Sequence, residues 1–593
     1  MQAIMSVVDN SFIDPFIESK LVCISSGVCA NSDVSRDLLQ AKEIGKKSAD
    51  AFVSERLSED QKRDFYDPIS RMKLKTFANM KRSVKVATKN KLVVVKADRN
   101  LFSRIALISQ SRNLRLADVF SFPLGPFPWS LAGSAGELKK TNKSALLHGL
   151  EKGVLPCDSY PDNSCTILDG MALVQRAKVA GCTFQKLASQ LFESILAAGC
   201  KSGRIDVVFD VYRRVSIKNA ERLKRATDSV VFKQIMANQP IKQWNSFLSS
   251  SENKTELIKF LVSEWKKENY RKSLGCKKLL VTSEDNCFEI QADTVFEVEE
   301  LYSTQEEADT RLLLHAKHAN NSYSRRSVIH TPDTDVICLC ITHSSYIEGE
   351  LFVKTGVRNQ SRIISIQKIR RKLLQENVTQ ASENEIYDSL LGLHAFSGCD
   401  SVSSFSGKGK MKAFKLMYSK AEHIRTFKEL GTTLPVTEEL HSRLERFTCA
   451  LYNQNDGSVN SARYKIYCSK DGKADGELLP PCQNSLRQHC LRANYQAHVW
   501  RQALIPCTNI GPPEHNGWEM TDGLLAVRWM TCKPAPEEVL ELLSCDCRRK
   551  CVRGSCECID NGLKCTEACR FSNCDNFEEE SDEILEDGDS DEE

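Results

Sequence analysis

Between residues 164 and 366, segments typical of strands alternate with segments typical of helices, and this alternation constrains the fold more than any other feature. The strand-like segments are rich in β-branched residues and are bounded by turn residues. They are residues 164–169, 204–210, 278–283, 327–341, 350–356 and 362–366. Helical segments such as 184–198 separate most of them. This order predicts an α/β domain with a mostly parallel, twisted sheet and flanking helices.

The rest of the chain divides around this domain. At 593 residues, two to four domains are expected. We predict an α-rich accessory region, an α/β core, an accessory α+β region, a small cysteine-rich segment and an acidic disordered tail. Their predicted bounds are 1–150, 160–425, 426–540, 545–576 and 577–593. Within the core, 211–306 is predicted to be an insertion and 394–425 to be helical around a loop.

The two accessory regions carry shorter signals. Residues 33–57, 103–120 and 485–504 have helical spacing, whereas 91–97 and 461–470 resemble strands. A hairpin is expected between Trp518 and Trp529. Residues 1–150 offer no group of side chains that suggests chemistry.

Acidic side chains follow the strand-like segments. Asp169 ends the first segment and Asp210 ends the second, while Asp333 and Asp335 interrupt an apolar run. In an extended chain, residues i and i+2 share a face, so Asp333 and Asp335 would point the same way. Glu307 and Asp309 lie in the first turn of a predicted helix. Because ligand sites gather at the carboxyl ends of strands in open α/β sheets, these acids are candidates for one site.

Carboxylates that converge on one spot repel one another, and divalent cations are the usual remedy. Hard oxygen ligands favour Mg2+ or Mn2+. Two such ions roughly 4 Å apart can activate a water and stabilise the leaving oxygen in phosphodiester cleavage. Taken singly, each acid is more typical of a helix cap, a turn or the surface, so the prediction depends on the set.

The stretch His394–Ala413 is rich in Gly and Ser, contains Asp400 and ends in a basic run. Gly398, Gly407 and Gly409 indicate backbone that turns tightly or approaches another group closely. Backbone amides beside lysines suit a phosphate group. On its own, such a stretch is also typical of a plain loop between two helices.

The acids resemble, in order and local context, those of the flap endonuclease family, structure-specific nucleases of the PIN-like superfamily. The resemblance covers about residues 165–425 and rests on Asp169 in LDGMALVQ, Asp210 in VVFDVYRR, Glu307 and Asp309 in EEADTR, Asp333 and Asp335 in PDTDV, and Asp400 in GCDSVSSFSGKGKMKA. It implies a PIN-like core in which these seven acids hold two Mg2+ or Mn2+ ions. It also implies a catalytic Lys and Arg on an arch after the second acid, for which Lys218 and Arg225 are candidates.

The stretch His394–Ala413 is similar to the helix–two-turns–helix motif of that family, which grips a duplex backbone. The resemblance therefore implies nucleic-acid contacts by Gly407, Lys408, Gly409, Lys410 and Lys412. The family begins its nuclease domain at the chain N-terminus, whereas about 160 residues precede it here. The whole chain also resembles uncharacterised proteins linked to mobile elements.

The cysteines near the C-terminus form a dense cluster. They are Cys545, Cys547, Cys551, Cys556, Cys558, Cys565, Cys569 and Cys574. With no secretory signal, metal binding is favoured over disulfides, and thiolates at this density predict zinc. A redox-active or disordered cysteine segment is the alternative.

The cysteine cluster resembles a tesmin-type CXC domain, a DNA-binding module in which nine cysteines hold three zinc ions. Phe571 stands where a further cysteine would complete that set, so two or three structural zinc ions are expected.

Charge and hydropathy suggest a partner and a location. Residues 577–593 hold eleven acids and no Lys or Arg, which leaves 81 basic against 67 acidic residues elsewhere, a net charge of +14. A basic body with an acidic tail is common in nucleic-acid binders, although a solvated tail without a partner has the same composition. No apolar run approaches the roughly 18–20 residues that span a bilayer, and acids near the N-terminus argue against a signal peptide. We expect no membrane association and an intracellular, nuclear protein.

The sequence thus predicts a metal-dependent nuclease acting on branched or single-strand-containing nucleic acid, with DNA as the expected partner. Two alternatives remain open. One is a catalytically inactive DNA-binding or scaffold protein of mobile-element origin. The other is an RNA nuclease, because PIN-like cores serve both polymers and no residue here identifies a reader of the 2′-hydroxyl.

Overall fold

The structure of the protein is a computed structural model. It describes residues 32–57, 83–87, 92–96 and 114–541, apart from 134–135, 214–215, 218–233, 357–359, 471–475 and 522, together with isolated residues before 114 and parts of 545–576. The chain forms two compact units. The first takes its described residues from 1–80, 138–457 and 486–529, and the second from 81–137, 458–485 and 530–593. Among the described helices, none combines the length and the apolar character that crossing a membrane requires.

The described chain contains twelve strands. They are β1 (Ser83–Ala87), β2 (Leu92–Lys96), β3 (Cys165–Asp169), β4 (Arg204–Val208), β5 (Lys278–Ser283), β6 (Asn286–Ile290), β7 (Val295–Glu297), β8 (Arg326–His330), β9 (Glu350–Thr355), β10 (Arg362–Ser365), β11 (Trp518–Thr521) and β12 (Leu524–Val527).

The helices of the described chain are numbered in the same way. They are α1 (Ser32–Leu39), α2 (Ala41–Arg56), α3 (Leu116–Val119), α4 (Lys143–Glu151), α5 (Gly170–Arg176), α6 (Phe184–Ala198), α7 (Trp244–Ser249), α8 (Ser251–Trp265), α9 (Glu268–Ser273), α10 (Ala308–Ser322), α11 (Thr334–His343), α12 (Ile366–Glu376), α13 (Glu383–Phe396), α14 (Lys410–Tyr418), α15 (Ala421–Glu429), α16 (Glu438–Leu451), α17 (Val459–Ser469), α18 (Gln483–Arg501), α19 (Glu537–Leu540) and α20 (Glu557–Asp560).

An eight-stranded sheet forms the centre of the first unit, in the order β10-β9-β8-β3-β4-β5-β6-β7. The five strands from β9 to β5 are parallel to one another. The three outer strands are antiparallel to their neighbours. The prediction of an α/β fold with a mostly parallel sheet is confirmed. These strands read as continuous apolar runs because helices cover both faces of the sheet.

Alternate residues of one strand show how the two faces are covered. Leu279 and Val281 of β5 pack in a large core with residues of α6 and α8, including the buried Phe184 and Trp265. Leu280 points to the opposite face and packs with Leu314 of α10. This period of two is the side-chain geometry of a strand that is buried on both sides.

The strand order reverses between β3 and β8. The chain runs outward from β3 through β4 to β5, and then returns through α10 to place β8 on the other side of β3. In doubly wound sheets, the helices on either side of such a reversal lie on opposite faces, which opens a crevice at the carboxyl ends of the two strands. The fold therefore predicts a ligand site beyond Asp169 of β3 and His330 of β8.

Several local predictions are confirmed. Residues 184–198 and 278–283 form α6 and β5 with the predicted bounds. Residues 33–57 form α1 and α2, separated at Gln40, and the hairpin between Trp518 and Trp529 is present as β11 and β12.

Three predictions were wrong. The strand predicted at 327–341 ends at His330, and α11 begins at Thr334 because Asp333 caps a ten-residue apolar helix. Residues 461–469 of the strand predicted at 461–470 belong to α17, which ends at Ser469. The predicted insertion 211–306 contains β5, β6 and β7, which are part of the main sheet.

Candidate metal centre

Two acids lie immediately beyond β8, at the point where the strand order reverses. Asp333 is the N-cap of α11, and its Oδ1 accepts a hydrogen bond from the backbone N–H of Asp335 at 2.9 Å. Asp335 lies in the first turn of the same helix and is buried. The two carboxylates are thus brought together by a helix cap and not by the extended chain that the sequence suggested.

Asp309, in the first turn of α10, joins this pair. One carboxylate oxygen from each of Asp309, Asp333 and Asp335 lies within 4.8 Å of the other two. Among the described residues this is the only such group made of carboxylates alone. Three converging oxygen donors suit a hard divalent cation, so the residues present fit Mg2+ or Mn2+.

Three other predicted acids lie outside this group, in positions that favour helix capping. Asp169 is the N-cap of α5 and accepts a hydrogen bond from the N–H of Ala172 at 3.0 Å. Asp210 accepts from the N–H of Ala308 at 2.8 Å, which places it at the start of α10. Glu307 is the N-cap residue of α10 and is half-buried. Asp210 and Glu307 therefore flank the helix turn that carries Asp309.

Asp400 is linked to the carboxylate group by Lys143, which forms ion pairs with both Asp400 and Asp335. Lys143 Nζ lies 2.9 Å from Asp335 Oδ2 and 2.7 Å from Asp400 Oδ1. Burial acts to lower the pKa of Lys143, but Asp335, Asp333 and Asp400 outweigh burial and hold that pKa above its usual range. Residues 1–150 were expected to offer no chemistry, and Lys143 corrects that expectation.

A buried histidine holds the other oxygen of Asp335. His394 Nε2 lies 2.8 Å from Asp335 Oδ1, and the imidazole stacks on Trp500 with ring centroids 5.5 Å apart. Burial, followed by the charge of Lys410, lowers the pKa of His394 to about 4 even though Asp335 opposes this. The ring is neutral at pH 7, so its Nε2–H donates to the carboxylate.

The two neighbouring aspartates have opposite electrostatic environments. Burial and the charge of Asp335 raise the pKa of Asp333 to about 7. Burial also acts to raise the pKa of Asp335, but His394 and Lys143 overcome it and hold the pKa well below its usual range. Repulsion of this kind between neighbouring carboxylates is the condition that a bound cation relieves.

A cleft of about 530 Å3 opens at this site. Asp333 and Asp400 line it together with Lys140, Lys143 and Ser144 from the segment before the sheet. Lys140 Nζ donates to the backbone carbonyl of Asp400 at 2.9 Å. The cleft therefore presents acids and lysines side by side, a combination suited to a ligand that binds cations and carries negative charge itself.

The glycine-rich stretch forms the loop between α13 and α14. Gly398 has φ +111°, and a Cβ there would lie 2.8 Å from the backbone nitrogen of Ser404, so the tight approach predicted for this glycine is confirmed. Gly407 has φ +64°, as predicted for a tight turn. Gly409, the N-cap of α14, has φ −65° and ψ 158°, an extended conformation open to any residue, and a Cβ there would have no neighbour within 4 Å, so the prediction for Gly409 was wrong.

The three lysines of this stretch differ in their surroundings. Lys412 is exposed, and Lys408 Nζ lies 4.6 Å from the centre of the Tyr452 ring. Lys410 is only 1% exposed and donates to His394 O at 2.8 Å and Ser397 Oγ at 3.0 Å. The predicted contact between Lys410 and nucleic acid is thus corrected, because its ammonium group caps the end of α13 inside the protein.

Other predicted residues lie outside the described part of the chain. They are Lys218, Arg225, Cys574 and the acidic residues 577–593. The functional candidates that sequence reasoning missed are Lys140, Lys143 and His394. No pattern in the sequence indicates the two lysines, and His394 was only the first residue of a stretch notable for its glycines.

The second unit carries a separate cluster of thiols. Two groups of four sulfurs, each mutually within 4.8 Å, share Cys545 and Cys565. Cys551 and Cys556 complete one group, and Cys558 and Cys569 complete the other. Several S···S distances, such as Cys558 to Cys569 at 3.7 Å and Cys545 to Cys551 at 3.9 Å, match the separation of about 3.8 Å expected for a tetrahedral zinc site with Zn–S of about 2.3 Å. The thiols present fit zinc.

Comparison with known proteins covers a different part of the chain. Residues 1–123 match a family described as Domain of unknown function (DUF8702). No curated protein matches the chain. The matched residues end before α4, so this similarity does not include the carboxylate site.

Proposed function

We propose that this protein is a metal-dependent nuclease that hydrolyses phosphodiesters in branched or single-strand-containing nucleic acid, with DNA as the favoured polymer. The observation that carries the proposal is the convergence of Asp309, Asp333 and Asp335 where the strand order reverses. The resemblance of these acids and of Asp400 to the flap endonuclease family supports it and suggests a PIN-like core.

Asp309, Asp333 and Asp335 would hold the catalytic cation. When bound, Mg2+ or Mn2+ supplies Lewis-acid polarisation of a phosphoryl oxygen and lowers the pKa of water. His394 keeps Asp335 oriented and ionised through its 2.8 Å hydrogen bond. Lys140 lines the same cleft and offers positive charge to a phosphate group, while Lys143 beside it is paired with Asp335 and Asp400.

The cysteine cluster would attach the chain to nucleic acid. Two zinc ions that share Cys545 and Cys565 would hold the segment together, and Arg553 within it supplies positive charge for phosphate contacts. Lys408 and Lys412 beside the glycine-rich loop are the candidates for contacts with a duplex backbone. Residence in the nucleus would follow from a DNA substrate.

A cleavage assay tests the proposal. Wild-type protein is incubated with Mg2+ or Mn2+ and with flap, bubble, duplex and single-stranded substrates of DNA and RNA. Asp333→Ala should abolish cleavage without changing the circular dichroism spectrum. Asp293→Ala is a matched control, because that exposed aspartate lies in the turn between β6 and β7. Equal cleavage by wild type and Asp333→Ala would refute the assignment, and cleavage restricted to RNA would replace DNA as the substrate.

A second candidate is a DNA-binding scaffold without catalysis. The favouring observation is that Asp169 and Asp210 act as helix caps and, like Glu307, lie outside the close carboxylate group of the described residues. A scaffold would bind DNA through the cysteine cluster and cleave none of the substrates. Mn2+ would then leave the melting temperature of the zinc-saturated protein unchanged, whereas a working carboxylate site would raise it.

A further inference from the structure

Lys143 occupies a bridging position inside the carboxylate site. Its ammonium nitrogen is in contact with Asp335 Oδ2 at 2.9 Å and with Asp400 Oδ1 at 2.7 Å. The Asp335 side chain is 4% exposed and that of Lys143 is 20% exposed, so this ion pair is more sheltered than an ordinary surface pair. Sheltered ion pairs are screened less by salt and solvent.

The helix that carries Lys143 is firmly anchored. Leu146, Leu147 and Leu150 of α4 are buried, and the far end of the helix is held by an ion pair between Glu151 and Arg362. Its near end follows a segment in which Lys139 O accepts a hydrogen bond from Ser404 N at 2.8 Å. Because both ends are tied to the first unit, Lys143 is presented to the acids by a fixed backbone.

We infer that the ammonium group of Lys143 is a resident cation of the carboxylate site. It takes the position of a second divalent ion and limits the site to one divalent ion. The inference deepens the proposed nuclease and rests on its being a divalent-ion site. Asp309, Asp333 and Asp335 hold the single ion, and Lys143 neutralises the pair formed by Asp335 and Asp400. A metal ion that ligated both Asp335 and Asp400 would need the space that the ammonium group fills. The positive charges of that ion and of Lys143 would also repel each other.

Asp335 can ligate a metal ion while it keeps its contacts with His394 and Lys143. Each carboxylate oxygen can accept more than one contact, so Oδ1 bonded to His394 and Oδ2 bonded to Lys143 still have capacity for a metal ion. Lys143 is a positioning residue, because it acts through the carboxylates of Asp335 and Asp400. The two-ion site expected from the sequence is thereby reduced to one ion and one ammonium group.

The number of Mn2+ ions bound by the zinc-saturated full chain tests the inference. Binding is followed by the electron paramagnetic resonance signal of free Mn2+, and Asp333→Asn is subtracted to remove ions bound elsewhere, including at acidic residues 577–593. We expect one ion per wild-type chain and a doubling to two in Lys143→Gln. Lys143→Arg retains the charge and should bind one.

Lys140→Gln is the matched control. Lys140 comes from the same segment and lines the same cleft, but it donates to the backbone carbonyl of Asp400 and not to its carboxylate. It should therefore leave the count at one. Two ions per wild-type chain would overturn the inference whatever the variants do, and so would a folded Lys143→Gln chain that binds one.

The count also separates this inference from the proposed nuclease. If no substrate is cleaved and the count still rises from one to two, Lys143 keeps its role and the nuclease is refuted. If wild type cleaves DNA and binds two ions, the nuclease stands and the role of Lys143 is refuted.

Discussion

Replacement of His394 should weaken metal binding without direct loss of a ligand. His394→Ala removes the donor to Asp335 Oδ1, which is 2.8 Å from Nε2, and leaves that oxygen without this partner in a buried environment. Hydrogen bonds to charged groups contribute about 1.5–3 kcal/mol. Since about 1.4 kcal/mol corresponds to a factor of ten, the Kd for Mn2+ should rise about 10–100-fold, the range typical of groups that orient a metal ligand.

A second substitution separates the hydrogen bond from the space it occupies. In His394→Gln the side-chain amide can reach the position of Nε2 and donate to the same oxygen. Mn2+ affinity should recover to within about threefold of wild type, because the donor that orients Asp335 is restored. Isothermal titration calorimetry of the zinc-saturated chain measures all three affinities.

His489 provides the control for loss of a buried imidazole. It is also fully buried, and its Nε2 lies 2.8 Å from the backbone carbonyl of Phe396, away from the carboxylates. His489→Ala should lower the melting temperature by creating a cavity but leave the Mn2+ affinity unchanged. Equal Mn2+ affinities of His394→Ala and wild type, or an equal loss of affinity in His489→Ala, would refute the role of His394.

Two further predictions concern the zinc cluster and Lys410. Cys545→Ser should lower bound zinc from two ions to fewer than one, because Cys545 belongs to both thiol groups. Cys551→Ser should keep one zinc ion and Cys547→Ser should keep both, as counted by native mass spectrometry. Equal losses in Cys545→Ser and Cys551→Ser would contradict shared ligands. Burial lowers the pKa of Lys410 from 10.5 to about 8, so between those pH values the unfolded chain holds a proton that the folded chain has released, and stability rises with pH. One pKa unit corresponds to about 1.4 kcal/mol. As the pH rises from 8 to 10.5, the unfolding free energy of wild type, measured in urea, should therefore increase by about 3 kcal/mol relative to that of Lys410→Met. A difference between the two proteins that does not change with pH would contradict the buried ammonium group.

Local patterns predicted those elements whose sequence period is unambiguous. Residues 184–198 place Phe184, Leu187 and Leu191 on one face, and this helical spacing fixes α6. β5 was equally clear, because a short β-branched run lies between turn residues. The run VICLCI after Asp335 has no period, because all of its residues are buried, and so the sequence could not distinguish a strand from the helix that forms.

The candidate site was predicted in part. Asp309, Asp333 and Asp335 were all predicted, because carboxyl ends of strands and first turns of helices are recognisable from sequence. Asp169 and Asp210 accept hydrogen bonds from helix N–H groups, but capping alone does not separate them from the group, because Asp333 also caps a helix and belongs to it. The position of each helix end relative to the others separates them, and proximity to a strand end in the sequence does not fix that position.

The contacts that most alter the chemistry join residues far apart in the chain. Lys143 and Asp335 are separated by 192 positions, and His394 and Asp335 by 59. Neither pair follows a periodic pattern, so only the fold could reveal that Asp335 accepts from an imidazole on one oxygen and from an ammonium group on the other. Lys143 also lies outside residues 165–425, the part of the chain on which the proposed resemblance to flap endonucleases rests. The proposed site therefore combines the acids with a positive charge from the segment before the sheet, and under our inference that charge limits the acids to one metal ion.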